Sequence, residues 1–353
     1  MASPRALRKS IPPTAPPPAL RHVFRWDLDK TYLQTDFDGV RALLRVAREK
    51  ASQKRAVPGA AALLRELRAA GPAGAHRICF VSGSPRQMRT VLTEKLRLDG
   101  VEFDEFILKP NLSNFLRGRF RMMREQVHYK LPALLAWRGD VPPEVPETLF
   151  GDDAESDAVI YSLYADLLAG TATADDLAGW LRRTRLYPED QAHLVALARK
   201  VRVGPAVRHI FILLDRRSPP ARFDPFGARL VPVYNYFQAA LALVAGGLLG
   251  EAAALRVALA MVSDFDYAID ALANSVADLV RRGRMAAAEL EATAQAFSEG
   301  LSSLDTALAV RERLTALPDR LLEACRTRVV HPPTPAAIDY GFWLAAGRNR
   351  SHR

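Results

Sequence analysis

Two aspartates two residues apart, Asp27 and Asp29, close the apolar run Val23-Phe24-Arg25-Trp26, and Thr31 follows at the same spacing. In an extended chain residues i and i+2 point the same way. Both carboxylates therefore face one pocket, where a cation must hold them against their mutual repulsion. Such a pair suits a carboxylate nucleophile beside an acid/base group, and phosphoryl transfer is the chemistry it fits. Three further stretches offer matching groups. Ser82 ends a second apolar run, and the turn Gly83-Ser84-Pro85 after it leads toward a helix whose free N–H groups would suit a phosphate. Lys130, in His128-Tyr129-Lys130, supplies an ammonium for phosphate charge. Gly151-Asp152-Asp153-Ala154-Glu155-Ser156-Asp157 is a carboxylate cluster fit for Mg²⁺.

Four distant stretches need a scaffold that brings them together. From His22 to about Leu168, strand-like and helix-like runs alternate, the pattern of a parallel sheet with crossover helices. Strands are expected over 22–27, 77–82, 103–108, 147–150 and 209–214. Helices are expected over 35–50, 60–70, from Pro85 onward, 125–137 and 156–168. Each chemical stretch then falls at a strand's carboxyl end or on the helix nearby, where open α/β sheets place ligands. The expected fold is α/β, with a Rossmann-like parallel sheet of about five strands followed by an all-α carboxyl-terminal domain. Prolines and a glycine after Arg217 mark a loop, and alanine- and leucine-rich helical runs extend from about Val233 to Val329. The expected organisation is a basic, proline-rich arm over 1–20, the sheet domain over 21–217, the helical domain over 218–331 and a loose tail over 332–353.

The ordered set Asp-x-Asp-x-Thr, strand-end Ser, Lys and Gly-Asp-x-x-x-x-Asp resembles the haloacid dehalogenase superfamily of phosphotransferases. Phe80-Val81-Ser82-Gly83-Ser84-Pro85 is similar, more narrowly, to the Ser-x-Ser-Pro element of the actin-patch phosphatidate phosphatase catalytic domain family. Lys130, the Gly151–Asp157 stretch and Ile160-Tyr161 follow in that family's order. Lys30 departs from it, since the family tends to carry another acid there. The resemblance implies roles residue by residue. Asp27 would attack phosphorus, Asp29 would act as acid and then base, and Ser82, Gly83, Thr31 and Lys130 would bind the phosphoryl group. Asp27, Asp29, Asp152, Asp153 and Asp157 would make the Mg²⁺ site. Members of the superfamily that act on small molecules usually carry a lid at one of two insertion points, but here the stretches 32–75 and 85–127 are short, so no large cap is expected. An open site suits a bulky substrate such as a phosphatidate-like lipid phosphomonoester at an anionic membrane surface. A nucleotide or polynucleotide phosphatase, or a non-catalytic phospho-ligand or membrane-binding module, are the alternatives.

Composition narrows the rest. The chain has 353 residues, 49% of them hydrophobic, enough to bury a full core. Two cysteines offer no disulfide framework, so a reducing cytoplasmic setting is expected, with peripheral membrane contact allowed. No run of about 20 uncharged apolar residues predicts a membrane span. The net charge of +10 comes from an arginine-rich composition with basic tails, and no run of aromatics accompanies it to stack bases, so nucleic acid is not the expected partner. Seven scattered histidines without paired spacing argue against zinc, and His128 reads as a helix-face residue. An Asp-x-Asp strand end alone could be a solvated turn, and Asp157 alone a helix cap. The set of four in order outweighs those readings.

Overall fold

A computed structural model describes residues 19–34, 50–109, 122–154, 156–184, 186–330 and 337–346. Six parallel strands form one sheet in the order β3-β2-β1-β4-β5-β6. They are β1 (His22–Asp27), β2 (His76–Pro85), β3 (Glu105–Lys109), β4 (Glu147–Asp152), β5 (Val207–Leu213) and β6 (Leu230–Val233). The order runs outward in one direction from β1 through β2 to β3, and in the other from β4 to β6. The switch between β1 and β4 opens a crevice at the strands' carboxyl ends. Trp26 pairs with Phe150 across that junction, so the ends of β1 and β4 come level. The helix expected over 35–50 lies outside the described residues but for its last position.

Every residue of β1 is buried, as a central parallel strand covered on both faces requires. Its side chains alternate between the faces. Phe24 and Trp26 join the core formed with α1 (Ala60–Ala69) and with α2 (Arg89–Leu98). The opposite face packs against α3 (Met122–Gly139), α4 (Asp157–Ala169), α5 (Ala174–Leu181) and α6 (Pro188–Ala198). Beyond β6, the helices α7 (Tyr236–Ala245), α8 (Glu251–Phe265), α9 (Ile269–Arg281) and α10 (Ala287–Gly300) cover the first face. Their buried side chains belong to the same apolar cluster as Phe24, Trp26 and Phe80. Gly59 shows how closely the two parts approach: a Cβ there would sit 2.9 Å from the Met261 sulfur on α8, at a backbone φ of 82° that already favours glycine.

The α/β class and the helical carboxyl-terminal region are as the sequence predicts, but the sheet has six strands where about five were expected. The sixth, Leu230-Val231-Pro232-Val233, contains a proline that cannot donate to a ladder. It is tolerated because β6 is an edge strand, needing hydrogen bonds on one side only. The boundary expected at 217/218 thus falls between two neighbouring strands of one sheet. β2 is longer than expected, running through Pro85 into a short 3₁₀ turn, Arg86–Met88, before α2 begins. Among the described residues no helix is long and apolar enough to cross a membrane.

Candidate active site

Asp27 is the last residue of β1 and is fully buried. The chain then makes a tight turn in which the Tyr32 and Leu33 amides both donate to the Leu28 carbonyl, each at 2.9 Å. Lys30 takes a left-handed φ of 60° to complete it. That turn brings the Thr31 hydroxyl back to Asp27 Oδ2, a long contact of 3.4 Å. The Thr31 carbonyl in turn accepts a 2.6 Å hydrogen bond from the Tyr236 hydroxyl at the start of α7.

Lys130 projects from α3 and is 0% exposed. Its Nζ lies 2.9 Å from Asp27 Oδ1 and 2.5 Å from Asp157 Oδ1, so one buried ammonium bridges two carboxylates. Asp157 is the first residue of α4 and folds back over the end of β4, where its Oδ2 accepts from the Asp152 amide at 3.3 Å. A Cβ on Gly151 would overlap the Asp157 carboxylate, which explains the glycine just before Asp152. Asp152 Oδ1 accepts from the Ala154 amide at 2.6 Å. Asp27, Asp152 and Asp157 each offer an oxygen within 4.8 Å of the others, and among the described residues these three form the group able to hold a metal ion. Carboxylates held this close repel one another when ionised, and a cation seated among them would offset that repulsion.

Asp29 and Asp153 lie outside that trio. Asp29 Oδ2 accepts from both the Ser82 and the Ser84 hydroxyls, each at 2.9 Å. The Ser84 amide donates to Ser82 Oγ at 3.0 Å. Asp153 receives the Arg216 and Ser218 amides at 2.8 and 3.0 Å, so it anchors the loop after β5. Ser82 lies on β2 as expected, while Gly83, expected in a turn entering a helix amino terminus, sits instead on the extended end of the same strand. That geometry explains Ser84, which sequence reasoning missed. It is two residues from Ser82 on an extended strand and so shares its direction.

Tyr236 is the other residue that sequence reasoning missed as part of the site. It lies 205 positions from Thr31, and no local signal joins them. Its ring packs 5.2 Å from Trp26, whose own ring stacks on Phe150 at 3.9 Å, forming an aromatic floor beneath the strand ends. Burial first, and then the charges of Asp152, Asp27 and Asp215, push the Tyr236 hydroxyl well above its ordinary range. Burial and then Asp157 do the same to Tyr161, whose hydroxyl donates to the Phe150 carbonyl at 3.4 Å. Both phenols thus stay protonated donors beside the carboxylates. A cleft of about 910 Å³ opens elsewhere, between α1 and the end of α8, lined by Lys54, Arg65, Lys95, Asp99 and Phe265 among others. It contains none of the strand-end carboxylates, so the cleft and the charge cluster are separate features.

The carboxylate trio, the bridging lysine and the serine-held aspartate converge from β1, β2, α3, β4 and α4 at the sheet's switch point. No curated protein and no solved structure matches this chain. Over residues 26–171 the chain matches the family model described as phosphatidate phosphatase APP1, catalytic domain, the family its strand-end motifs resemble.

Proposed function

We propose that this chain is a Mg²⁺-dependent phosphatase that works through an aspartyl-phosphate on Asp27, with a phosphatidate-like lipid phosphomonoester as its substrate. The observation that carries this reading is the buried trio Asp27, Asp152 and Asp157, with the Lys130 ammonium bridging Asp27 and Asp157. The family match over residues 26–171 supports the substrate class. Three aspartate oxygens are hard donors of the kind Mg²⁺ prefers, so Asp27, Asp152 and Asp157 would hold the ion. Bound there, Mg²⁺ would offset the charge that otherwise keeps an anionic nucleophile from an anionic phosphate.

The chain's own groups divide the remaining work. An Asp27 oxygen attacks phosphorus as the bond to the ester oxygen breaks, and Lys130 offsets charge on both the nucleophile and the transferred group. Asp29, protonated, gives its proton to the departing alkoxide. As a carboxylate it then takes a proton from water while the water oxygen attacks phosphorus, which breaks the acyl-phosphate bond and frees Asp27 and inorganic phosphate. Ser82 and Ser84 now donate to Asp29. An incoming phosphoryl oxygen would compete for the Ser82 hydroxyl, binding the phosphate and leaving Asp29 with one donor fewer.

The test is phosphate release by the full chain from phosphatidate-containing vesicles and from nucleotides, each with Mg²⁺ and with EDTA. The expected result is release from vesicles that EDTA abolishes and Mg²⁺ restores. Turnover of nucleotides with silent vesicles would move the assignment to a nucleotide phosphatase. Binding of phosphate-bearing vesicles without turnover of any phosphomonoester would make the protein a recognition module.

A further inference from the structure

The sheet face that carries Asp27 buries a second charged cluster, set back toward the strands' amino ends. Arg25, two residues before Asp27 on β1, grips Glu147 bidentately: Nε to Oε2 at 2.9 Å and Nη2 to Oε1 at 2.7 Å. Arg138 Nη1 donates to the same Oε1 at 3.1 Å, and to the Val145 carbonyl at 2.9 Å. The Tyr164 hydroxyl donates to Oε2 at 2.7 Å. Arg25 and Arg138 are 1% and 5% exposed, and Glu147 and Tyr164 are 0% exposed. The phosphatase chemistry uses none of these groups. Stability alone is a weak reason for them, since well-packed apolar residues often replace a buried ion cluster at no loss.

Their placement supplies a better reason. Arg25 shares β1 with Asp27, and Glu147 opens β4, the strand that ends in Asp152. Arg138 lies about two turns beyond Lys130 on α3, and Tyr164 about two turns beyond Asp157 on α4. The four elements that meet at Glu147 are therefore the four that present the carboxylate trio and its lysine. Apolar contacts are non-directional. Charge-assisted hydrogen bonds to one carboxylate fix direction as well as distance.

We propose that Arg25, Glu147, Arg138 and Tyr164 form a positioning lock that sets β1, β4, α3 and α4 in register, and through them the spacing of Asp27, Asp152, Asp157 and Lys130. The inference rests on the phosphatase reading only for its kinetic readout. Two variants of the full chain test it. Tyr164→Phe removes one donor and keeps the ring, while Glu147→Gln removes the charge and keeps the shape. Amide hydrogen exchange is expected to rise around Lys130 and over 151–158, with α9 and α10 unchanged. On an aryl phosphate with Mg²⁺, kcat is expected to fall roughly 10-fold or more for Glu147→Gln, with a smaller loss for Tyr164→Phe and KM nearly constant for both. Exchange that rises evenly along the chain, or stays unchanged at 151–158, would overturn the lock and leave a merely structural cluster. Should Glu147→Gln fail to fold, Tyr164→Phe carries the same test. Should the parent protein turn over no phosphomonoester, the phosphatase reading fails and the exchange pattern still decides this inference.

Discussion

Two buried charge clusters lie along the same central strands and differ in how their charges are arranged. At the strands' amino side, Glu147 accepts donors from Arg25, Arg138 and Tyr164, and the ions balance to one excess positive charge. At the carboxyl side, Asp27, Asp152 and Asp157 hold oxygens close together, and Lys130 bridges Asp27 and Asp157. A cluster whose groups satisfy one another is complete within the protein. Close-set carboxylates at the switch point of a parallel sheet are what the proposed function needs to hold a cation. On the proposed function, the contrast separates a positioning use of buried charge from a chemical one within a few residues of strand.

Four changes break or sharpen that contrast, in falling order of effect. Asp27→Asn should lower kcat on the order of 10⁴-fold or more while leaving the thermal midpoint at or above the parent value, because it relieves carboxylate crowding. Loss of the fold in that variant would contradict the assignment of the carboxyl-side cluster to chemistry. Glu147→Leu should do the reverse of this. It strands two buried guanidiniums and should cost about 3–5 kcal/mol in urea unfolding.

Acid should weaken the amino side. Burial first, and then the neighbouring His76, lower the His22 imidazole from 6.5 to about 3. The folded state therefore keeps His22 neutral while the unfolded chain protonates as pH drops below 6.5, so stability is complete above that value and declines toward pH 3. Between pH 7 and 5 the loss is about 2 kcal/mol, and His22→Gln should remove that share of the slope. His209, lowered by burial and then by Arg208, adds in the same direction. Burial acts to raise the Glu147 carboxyl, but the Arg25 charge and its hydrogen bond, followed by Arg138 and Tyr164, outweigh it and hold the carboxyl below its ordinary value of 4.5. Its contribution is present above that value and is lost only in stronger acid. The smallest effect belongs to Tyr236→Phe, which removes one buried donor from the Thr31 carbonyl. It should cost about 1 kcal/mol and a modest part of kcat, measured by unfolding and by phosphate release.

The carboxyl-side cluster is largely legible in the amino-acid sequence. Asp27, Asp29, Ser82, Lys130 and the 151–157 stretch announce themselves by residue type and by short spacings that a strand or a helix turns into direction. The amino-side lock is not. Arg25 and Glu147 stand 122 positions apart, and each alone reads as an ordinary charged residue in a strand. Ser84 was within reach, since the strand spacing from Ser82 holds once β2 is known to continue past it. The sixth strand was hidden by Pro232, a local signal against a strand that edge position overrides.

The sequence by itself determined the alternation of elements, and hence a parallel sheet, and the residue types that a phosphoryl-transfer site needs at the ends of its strands. Those properties are local: periodicity and i, i+2 spacing act within a few residues. Only the tertiary structure decided the partners. It set the lysine between Asp27 and Asp157, gave Asp153 to the Arg216–Ser218 loop, and brought Tyr236 from the carboxyl-terminal helices to Thr31. Those contacts depend on which strands lie side by side and which helices cover them, and that is settled by burial of the whole core rather than by any one stretch of chain.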